Sequence, residues 1–228
     1  MVKPPMIAQN IKHNLEELLT SLIESGIVDD QNFPVLRRIP NKAWEVTFAN
    51  TDYVSITMDD VDYAVIQREL AEKRSYTAKM IDGGLLQLMY RFENGRLVQH
   101  RLAYYPSPDL RPFHEDPDVY LRDELFLDIV SRRIVPFPLR FDFNEAAARD
   151  VVHPRCHLTL GDVKGCRIPV SAPLTPRWFI EFVLWNFYQT DKHDLVRSLP
   201  DHRLHFARTI TANECRLIHM VVPERLRA

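Results

Sequence analysis

Histidine, arginine and threonine alternate with apolar residues between positions 153 and 160. His153, Arg155, His157 and Thr159 are the polar members of this run. In a β-strand, alternate residues point to the same face of the sheet, so the run predicts a polar row over an apolar underside. Histidine titrates near neutral pH and serves as a general acid or base. Such a row could bind and cleave a phosphodiester without a metal ion, or it could be a solvent-exposed strand face.

The spacing of His153 and His157 is also that of a helical metal site, since residues four apart are neighbours on a helix. Pro154 and the following Leu-Thr-Leu-Gly run favour a strand instead. On a strand, at ~3.3 Å per residue, the two histidines would lie ~13 Å apart, too far for one zinc ion with Zn–N bonds of ~2 Å. We therefore expect no metal and no other cofactor. The sequence also has no P-loop, GxGxxG, HExxH, CxxC or GxSxG motif.

A second group of charged residues lies on a predicted β-hairpin. Asn94-Gly95 separates two alternating runs, 85–92 and 96–105, which is the pattern of a type I′ turn. A two-residue turn fixes the register of the strands that flank it. The regular register places Arg101 on the apolar face of the hairpin and turns the adjacent His100 to the other face.

In this register Arg101 lies opposite Leu88, among apolar side chains. A guanidinium group keeps its charge on burial, so it needs a carboxylate, carbonyl groups or a bound anion. A salt bridge with Asp142, on the alternating strand 139–143, is one interpretation. An anion site for phosphate or carboxylate is the other.

These observations define the candidate site residues, all of which lie on or beside segments that alternate as strands. The candidate catalytic residues are His153, His157, Arg101, Arg167 and Tyr104, and the candidate binding residues are Arg140, Asp142, Arg155 and His100. None of the spacings is by itself specific for one reaction.

Hydrophobic periodicity predicts the elements that position these residues. Helices are expected at 6–25, from Asp59, at 116–132, at 175–188 and in a short capping-box segment at Thr211. Strands are expected at 44–48, 76–81, 85–92, 96–105, 139–143, 153–160 and 166–170, with 29–40 as a loop. The expected fold is a single α+β domain, 1–228, whose antiparallel sheet of about six to seven strands has helices packed on it.

Composition excludes several classes of protein. The formal net charge is −2, so nucleic-acid binding would need a local basic patch. The three cysteines are too few, and odd in number, for a disulfide framework. No apolar run reaches the ~18 residues of a membrane span, and the N-terminal helix carries charges that a signal peptide lacks. We therefore expect a cytoplasmic protein that does not enter a membrane.

One predicted helix is apolar around almost its whole circumference. Its apolar and aromatic residues fill Trp178–Tyr188, and such a helix is either central in a domain or part of an interface. The segment Tyr104–Phe113 adds further aromatic and proline residues. Large apolar patches on a soluble chain mark interaction sites, so either surface could bind a protein partner or a second copy of the chain.

Several motifs resemble the bacterial domain of unknown function 2290 family. They are Asp82–Phe92, His100–Pro106, His153-Pro154, His157–Gly161, Cys166–Val170, Phe179–Phe182 and Asn186–Tyr188. The resemblance covers a core of about residues 55–190, with the helix 6–25 before it and the segment 191–228 after it. Ser107 stands where a cysteine is common in the family, and Trp185 where a basic residue is expected.

The resemblance implies no catalytic residue, since the family has no established activity. It implies a bacterial gene that lies beside mobile elements or phage-defence genes, and a looser likeness connects the hairpin and the HPxxH-like strand with small toxin families. The first hypothesis is a nucleic-acid-acting effector, such as a metal-independent ribonuclease or toxin, with RNA or DNA as its partner. The second is a non-catalytic protein-interaction subunit of a defence complex.

Overall fold

Nine antiparallel strands form one sheet in the computed structural model, which describes residues 3–49, 61–108, 137–161, 165–188, 194–200 and 204–224. The strands are β1 (Val28–Gln31), β2 (Val35–Ile39), β3 (Ala43–Thr47), β4 (Ala78–Met80), β5 (Leu85–Glu93), β6 (Arg96–Tyr105), β7 (Leu139–Asn144), β8 (Cys156–Leu160) and β9 (Ile168–Pro169). The order along the sheet is β1-β4-β5-β6-β7-β8-β9. In addition, β3 pairs with β5, and β2 pairs with β3. The α+β class is confirmed, with more strands than the sequence predicts.

The helices are α1 (Met6–Glu24), α2 (Tyr63–Glu72) and α3 (Pro176–Val183), and α3 continues as a π-helical turn over Leu184–Tyr188. The start of α3 agrees with its sequence signals. The Thr175 side chain accepts the Trp178 N–H, and Pro176 occupies the first turn. None of the helices in the described part of the chain is long and apolar enough to cross a membrane.

Several predicted elements differ in the structure, among them the segment 29–40 and the second helix. The segment 29–40, predicted as a loop, contains the end of β1 and all of β2. That prediction is wrong because these two strands are short and rich in charged residues, so they show little apolar alternation. The second helix is capped by Asp62, whose side chain accepts the Ala64 N–H at 2.8 Å. Asp59 and the predicted helix 116–132 lie outside the described residues.

The predicted hairpin is present as β5 and β6, and its turn has the expected positive φ angles, 50° at Asn94 and 76° at Gly95. Pairing is regular beside the turn, but Arg91 then pairs with Gln99 and not with Val98. Val98 is therefore an extra residue in β6, a β-bulge. A shift of one residue turns every later side chain of the strand to the opposite face.

The bulge reverses two predictions. Arg101 pairs with Met89 and not with Leu88, while His100 pairs with Tyr90. His100 is buried in the core, and its neighbour Arg101 is 39% exposed on the opposite face. The prediction that Arg101 lies on the apolar face is therefore wrong.

The two faces of the sheet are covered differently. On one, the main core face, α1 and α3 pack against aromatic and aliphatic side chains that include Tyr90, Tyr104, Phe141 and Phe143. On the other, the second face, α2 packs over a smaller cluster that includes Leu85, Ala103 and Tyr105. Further along the second face, β6, β7 and β8 bring polar side chains together, and these form the candidate site.

Candidate functional site

The register of three neighbouring strands brings five polar side chains together on the second face. Arg101 on β6 pairs with Asp142 on β7, which in turn pairs with His157 on β8. One row along the strands, Arg140 on β7 pairs with Thr159 on β8. Neighbouring strands lie ~4.8 Å apart, so these side chains form a compact polar patch.

Asp142 joins two of the arginines. Nε of Arg101 donates to Asp142 Oδ1 at 3.2 Å, and Nε of Arg140 donates to Oδ2 at 2.5 Å. The predicted Arg101–Asp142 salt bridge is confirmed, although it lies on the second face and not in the core. Burial by itself would raise the pKa of Asp142, but the guanidinium groups of Arg140 and Arg101 outweigh it and lower that pKa. Asp142 is thus ionised at neutral pH and holds both arginines in position.

As far as the described residues show, the arginines keep hydrogen-bond donors for a ligand. Arg101 and Arg140 each use Nε for Asp142, and within the described residues their terminal nitrogens bond to no other group. Arg167 lies beside them and pairs with no carboxylate in the part of the chain that the structure describes. A guanidinium group with free terminal nitrogens presents a planar fork of donors, which matches the geometry of phosphate.

The two histidines are neighbours. The ring centroids of His153 and His157 are 4.9 Å apart and the ring planes meet at 76°. The prediction that they lie far apart on one strand is wrong, because β8 begins only at Cys156 and the chain turns before it. Arg149 and His153 close this turn with two backbone hydrogen bonds of 2.8 Å.

His157 is placed to act as a base. It is 3% exposed, and its Nδ1 lies 2.9 Å from the carbonyl oxygen of Pro154. A carbonyl oxygen only accepts, so in the neutral ring Nδ1 carries the proton and Nε2 keeps its lone pair. Burial lowers the pKa of His157, and the Pro154 hydrogen bond and the Asp142 carboxylate offset this only in part. The ring is therefore neutral at pH 7.

The polar patch forms one wall of a cleft of about 260 Å³, here called the cationic cleft. Among the described residues, its charged lining consists of Arg101, Arg140, Arg167 and Asp142, a net charge of +2, whereas the whole chain carries −2. Thr159, which is 8% exposed, also lines the cleft and adds a hydroxyl group to its polar lining.

No metal centre is evident in the described residues, where no three His, Cys, Asp or Glu side chains are grouped to hold an ion. The chemistry that the cationic cleft can perform with its own side chains is anion binding by arginine and proton transfer by histidine.

Three predicted site residues lie elsewhere. His100 is in the main core, where its Nε2 accepts the Leu174 N–H at 3.2 Å. Tyr104 is buried there too, and its hydroxyl oxygen lies 3.0 Å from that of Tyr188. Arg155 is exposed and does not line the cationic cleft. The cleft therefore unites His153, His157 and the three other arginines but neither His100 nor Tyr104.

Sequence reasoning missed Gln99, Asn144 and Cys166, which also line the cationic cleft. Gln99 pairs with Asn144 two residues along the strands from the Arg101–Asp142 pair. The alternation of β7 could have placed Asn144 on the same face as Asp142. Only the bulge places Gln99 there.

The predicted interaction surface on Trp178–Tyr188 borders a separate apolar groove of about 350 Å³. Its aromatic lining includes Trp178, Phe182 and Trp185 from α3 and its π-helical turn, together with Phe141 of β7, and residues 220–223 also line it. A partner for this groove stays a prediction. The other predicted surface, Tyr104–Phe113, is described only to residue 108, and its first residue is buried.

Comparison with known proteins decides the family. A family model with the description "Uncharacterized conserved protein (DUF2290)" matches residues 27–222. The chain belongs to the DUF2290 family. The match extends beyond both ends of the motifs that carry the resemblance, and in this DUF2290 chain it includes every residue of the cationic cleft. No curated protein and no solved structure matches the chain.

Proposed function

We propose that this DUF2290 protein binds single-stranded RNA in the cationic cleft and cleaves it without a metal ion. The observation that supports this is the meeting of a neutral, buried histidine, a second histidine and three arginines in one cleft. Arginine binds phosphate and histidine transfers protons. RNA provides its own nucleophile, the 2′-hydroxyl group, so no side chain has to attack the phosphorus.

The size and charge of the cleft favour a single strand. Its volume of about 260 Å³ lies near the lower end of ligand pockets, which span ~300–1,000 Å³. A pocket of this size admits one nucleotide unit of an unpaired chain, whereas a duplex would need a broad basic surface. In the proposed complex, the terminal nitrogens of Arg101 and Arg140 bind the phosphate at the cleavage point, and Arg167 binds an adjacent phosphate.

In the proposed reaction, the 2′-oxygen attacks the adjacent phosphorus while His157 takes the 2′-hydroxyl proton at Nε2. The bond between phosphorus and the 5′-oxygen of the next nucleotide breaks, and His153 donates the proton that this oxygen needs. The products are a 2′,3′-cyclic phosphate and a free 5′-hydroxyl group, so no water or oxidant is consumed. Negative charge that develops on the phosphoryl oxygens is stabilised by the guanidinium groups of Arg101 and Arg140.

The protein is expected to cleave a fluorescent RNA oligonucleotide of mixed sequence in the presence of EDTA. Mass spectrometry should find 2′,3′-cyclic phosphate ends. An oligonucleotide of the same sequence built on 2′-deoxyribose should stay intact, because the attacking hydroxyl is missing. RNA left uncut at high protein concentration, cleavage that EDTA abolishes, or equal cleavage of the deoxy strand would each contradict the proposal.

Arg101→Met is expected to weaken binding of the uncleavable deoxy strand and to change its salt dependence. Loss of one phosphate contact should reduce the slope of log K against log salt concentration by about 0.7–1. Asp142 keeps its bond with Arg140, so the variant should fold. Arg38→Met is the matched control, because Arg38 is exposed on β2 away from the cleft. Identical slopes for both variants and the wild type would show that Arg101 contacts no phosphate.

A further inference from the structure

Val151 has a backbone conformation that its side chain disfavours. Its φ is +66°, in the left-handed region, where a β-branched residue is an outlier. Such a residue persists only where the surrounding structure holds it, and strained residues cluster at functional sites. Val151 lies in the turn that Arg149 and His153 close with their two backbone hydrogen bonds. The strain is thus two residues from a proposed catalytic histidine.

Two acidic side chains hold this turn against a distant part of the chain. Asp150 accepts hydrogen bonds from the Thr211 hydroxyl and from the Asn213 amide, and these bonds lower its pKa. Glu214 is 2% exposed, and its Oε1 accepts the Val151 N–H at 3.4 Å. The partners of this last bond are 63 positions apart in the sequence.

Thr211 and Glu214 form the predicted capping box. Oε2 of Glu214 accepts the Thr211 N–H at 2.9 Å, and the Thr211 hydroxyl oxygen accepts the Glu214 N–H at 3.2 Å. The helix that begins within this box, Glu214–Arg216, has only three residues. A capping box satisfies donors at a helix start, but here its hydroxyl and its carboxylate also bond to the 149–153 turn. It therefore serves that turn as well as its own short helix.

From the turn, the chain leads directly to the two histidines. The His153 ring contacts the His157 ring. The next residue, Pro154, provides the carbonyl oxygen that accepts the Nδ1 proton of His157. A displacement of the turn would therefore move the His153 ring and disturb the hydrogen bond that sets the tautomer of His157.

We propose that Asp150, Thr211 and Glu214 form a clamp that positions His153 against His157. They are positioning residues, since none of them lines the cationic cleft. The effect of the clamp on cleavage rests on the proposed function, whereas its effect on the two histidine rings does not. If these contacts only fixed the segment 204–224 to the sheet, breaking them would leave the His153 and His157 rings unchanged.

Thr211→Val tests the clamp, because valine keeps the shape of threonine but can neither donate to Asp150 nor accept the Glu214 N–H. We expect the side-chain ¹⁵N resonances of His153 and His157 to shift, and kcat for RNA cleavage to fall about 10- to 100-fold with KM unchanged. Thr211→Ser keeps the hydroxyl group, so its histidine resonances and its kcat should equal those of the wild type. The exposed His13 on α1 provides a reference resonance that should not move.

The outcomes separate the clamp from the proposed function. Unchanged His153 and His157 resonances in folded Thr211→Val protein would overturn the clamp, whatever the activity. Shifted resonances in a protein whose wild type does not cleave RNA would support the clamp and overturn the ribonuclease. If Thr211→Val fails to fold, Asn213→Ala can replace it, because it removes one of the two donors to Asp150 at an exposed position. The His153 and His157 resonances of this variant, compared with those of the wild type, then test the clamp.

Discussion

His157→Asn is expected to slow RNA cleavage by about 10²–10⁴-fold, the usual contribution of a general base, and to leave RNA binding nearly unchanged. The asparagine Nδ2 lies close to the position of the histidine Nδ1, so it can keep the hydrogen bond to the Pro154 carbonyl oxygen. What the variant loses is Nε2, the atom that takes the 2′-hydroxyl proton in the proposed reaction. Single-turnover cleavage at saturating protein measures the loss, and binding of the deoxy strand measures affinity separately.

The pH profile gives an independent check on the same residue. The base works only when it is unprotonated, so the rate of the wild type should rise with pH along the acidic limb of its profile. Burial lowers the pKa of His157 from its ordinary 6.5, and the midpoint of this rise should therefore lie on the acidic side of that value. His13→Asn, at an exposed histidine on α1, should behave as the wild type does. Full activity in folded His157→Asn protein would exclude His157 as the base.

Most of the fold could be predicted because its signals are local. Asn94-Gly95 specifies a type I′ turn by residue type alone, and the strands on either side of it match their predicted bounds to within one residue. The alternation of β7 likewise places Arg140 and Asp142 on one face. β1 and β2 could not be predicted in this way, because short charged strands are stabilised by pairing with neighbouring strands and not by a pattern of their own.

The face on which Arg101 lies could not be predicted, because it depends on contacts that are distant in sequence. The Val98 bulge leaves a carbonyl oxygen that accepts the Glu145 N–H at 3.2 Å, just past the end of β7. The alternation of residue types does not reveal this bulge, because apolar and polar residues occur on both faces of the hairpin.

The approach of His153 to His157 has a similar origin. It follows a turn in which Val151 has a left-handed conformation, and Asp150 and Glu214 connect this turn with a segment that is distant in the sequence. A strand pattern gives the spacing of residues within one strand, but it does not show where that strand begins. The candidate residues could thus be named from the sequence, while their meeting in one cleft required the tertiary structure.

Acid is expected to destabilise the protein through His100. Burial lowers the pKa of His100 in the folded protein from 6.5 to about 4. Between these values the unfolded chain binds a proton and the folded protein does not, so the free energy of unfolding decreases as the pH falls. The stabilisation is complete above about pH 6.5 and lost near pH 4, and a difference of this size corresponds to roughly 3 kcal/mol.

His100→Gln removes this titration and keeps an acceptor for the Leu174 N–H. Urea unfolding at several pH values between 7 and 4 should therefore show that the free energy of unfolding decreases less steeply with falling pH in the variant than in the wild type. Burial raises the pKa of Asp82 and lowers that of His157, but both groups are present in the two proteins, so their effects cancel in the difference. His13→Gln should run parallel to the wild type, because His13 is exposed. A parallel curve for His100→Gln as well would mean that His100 is protonated as readily in the folded protein as in the unfolded chain.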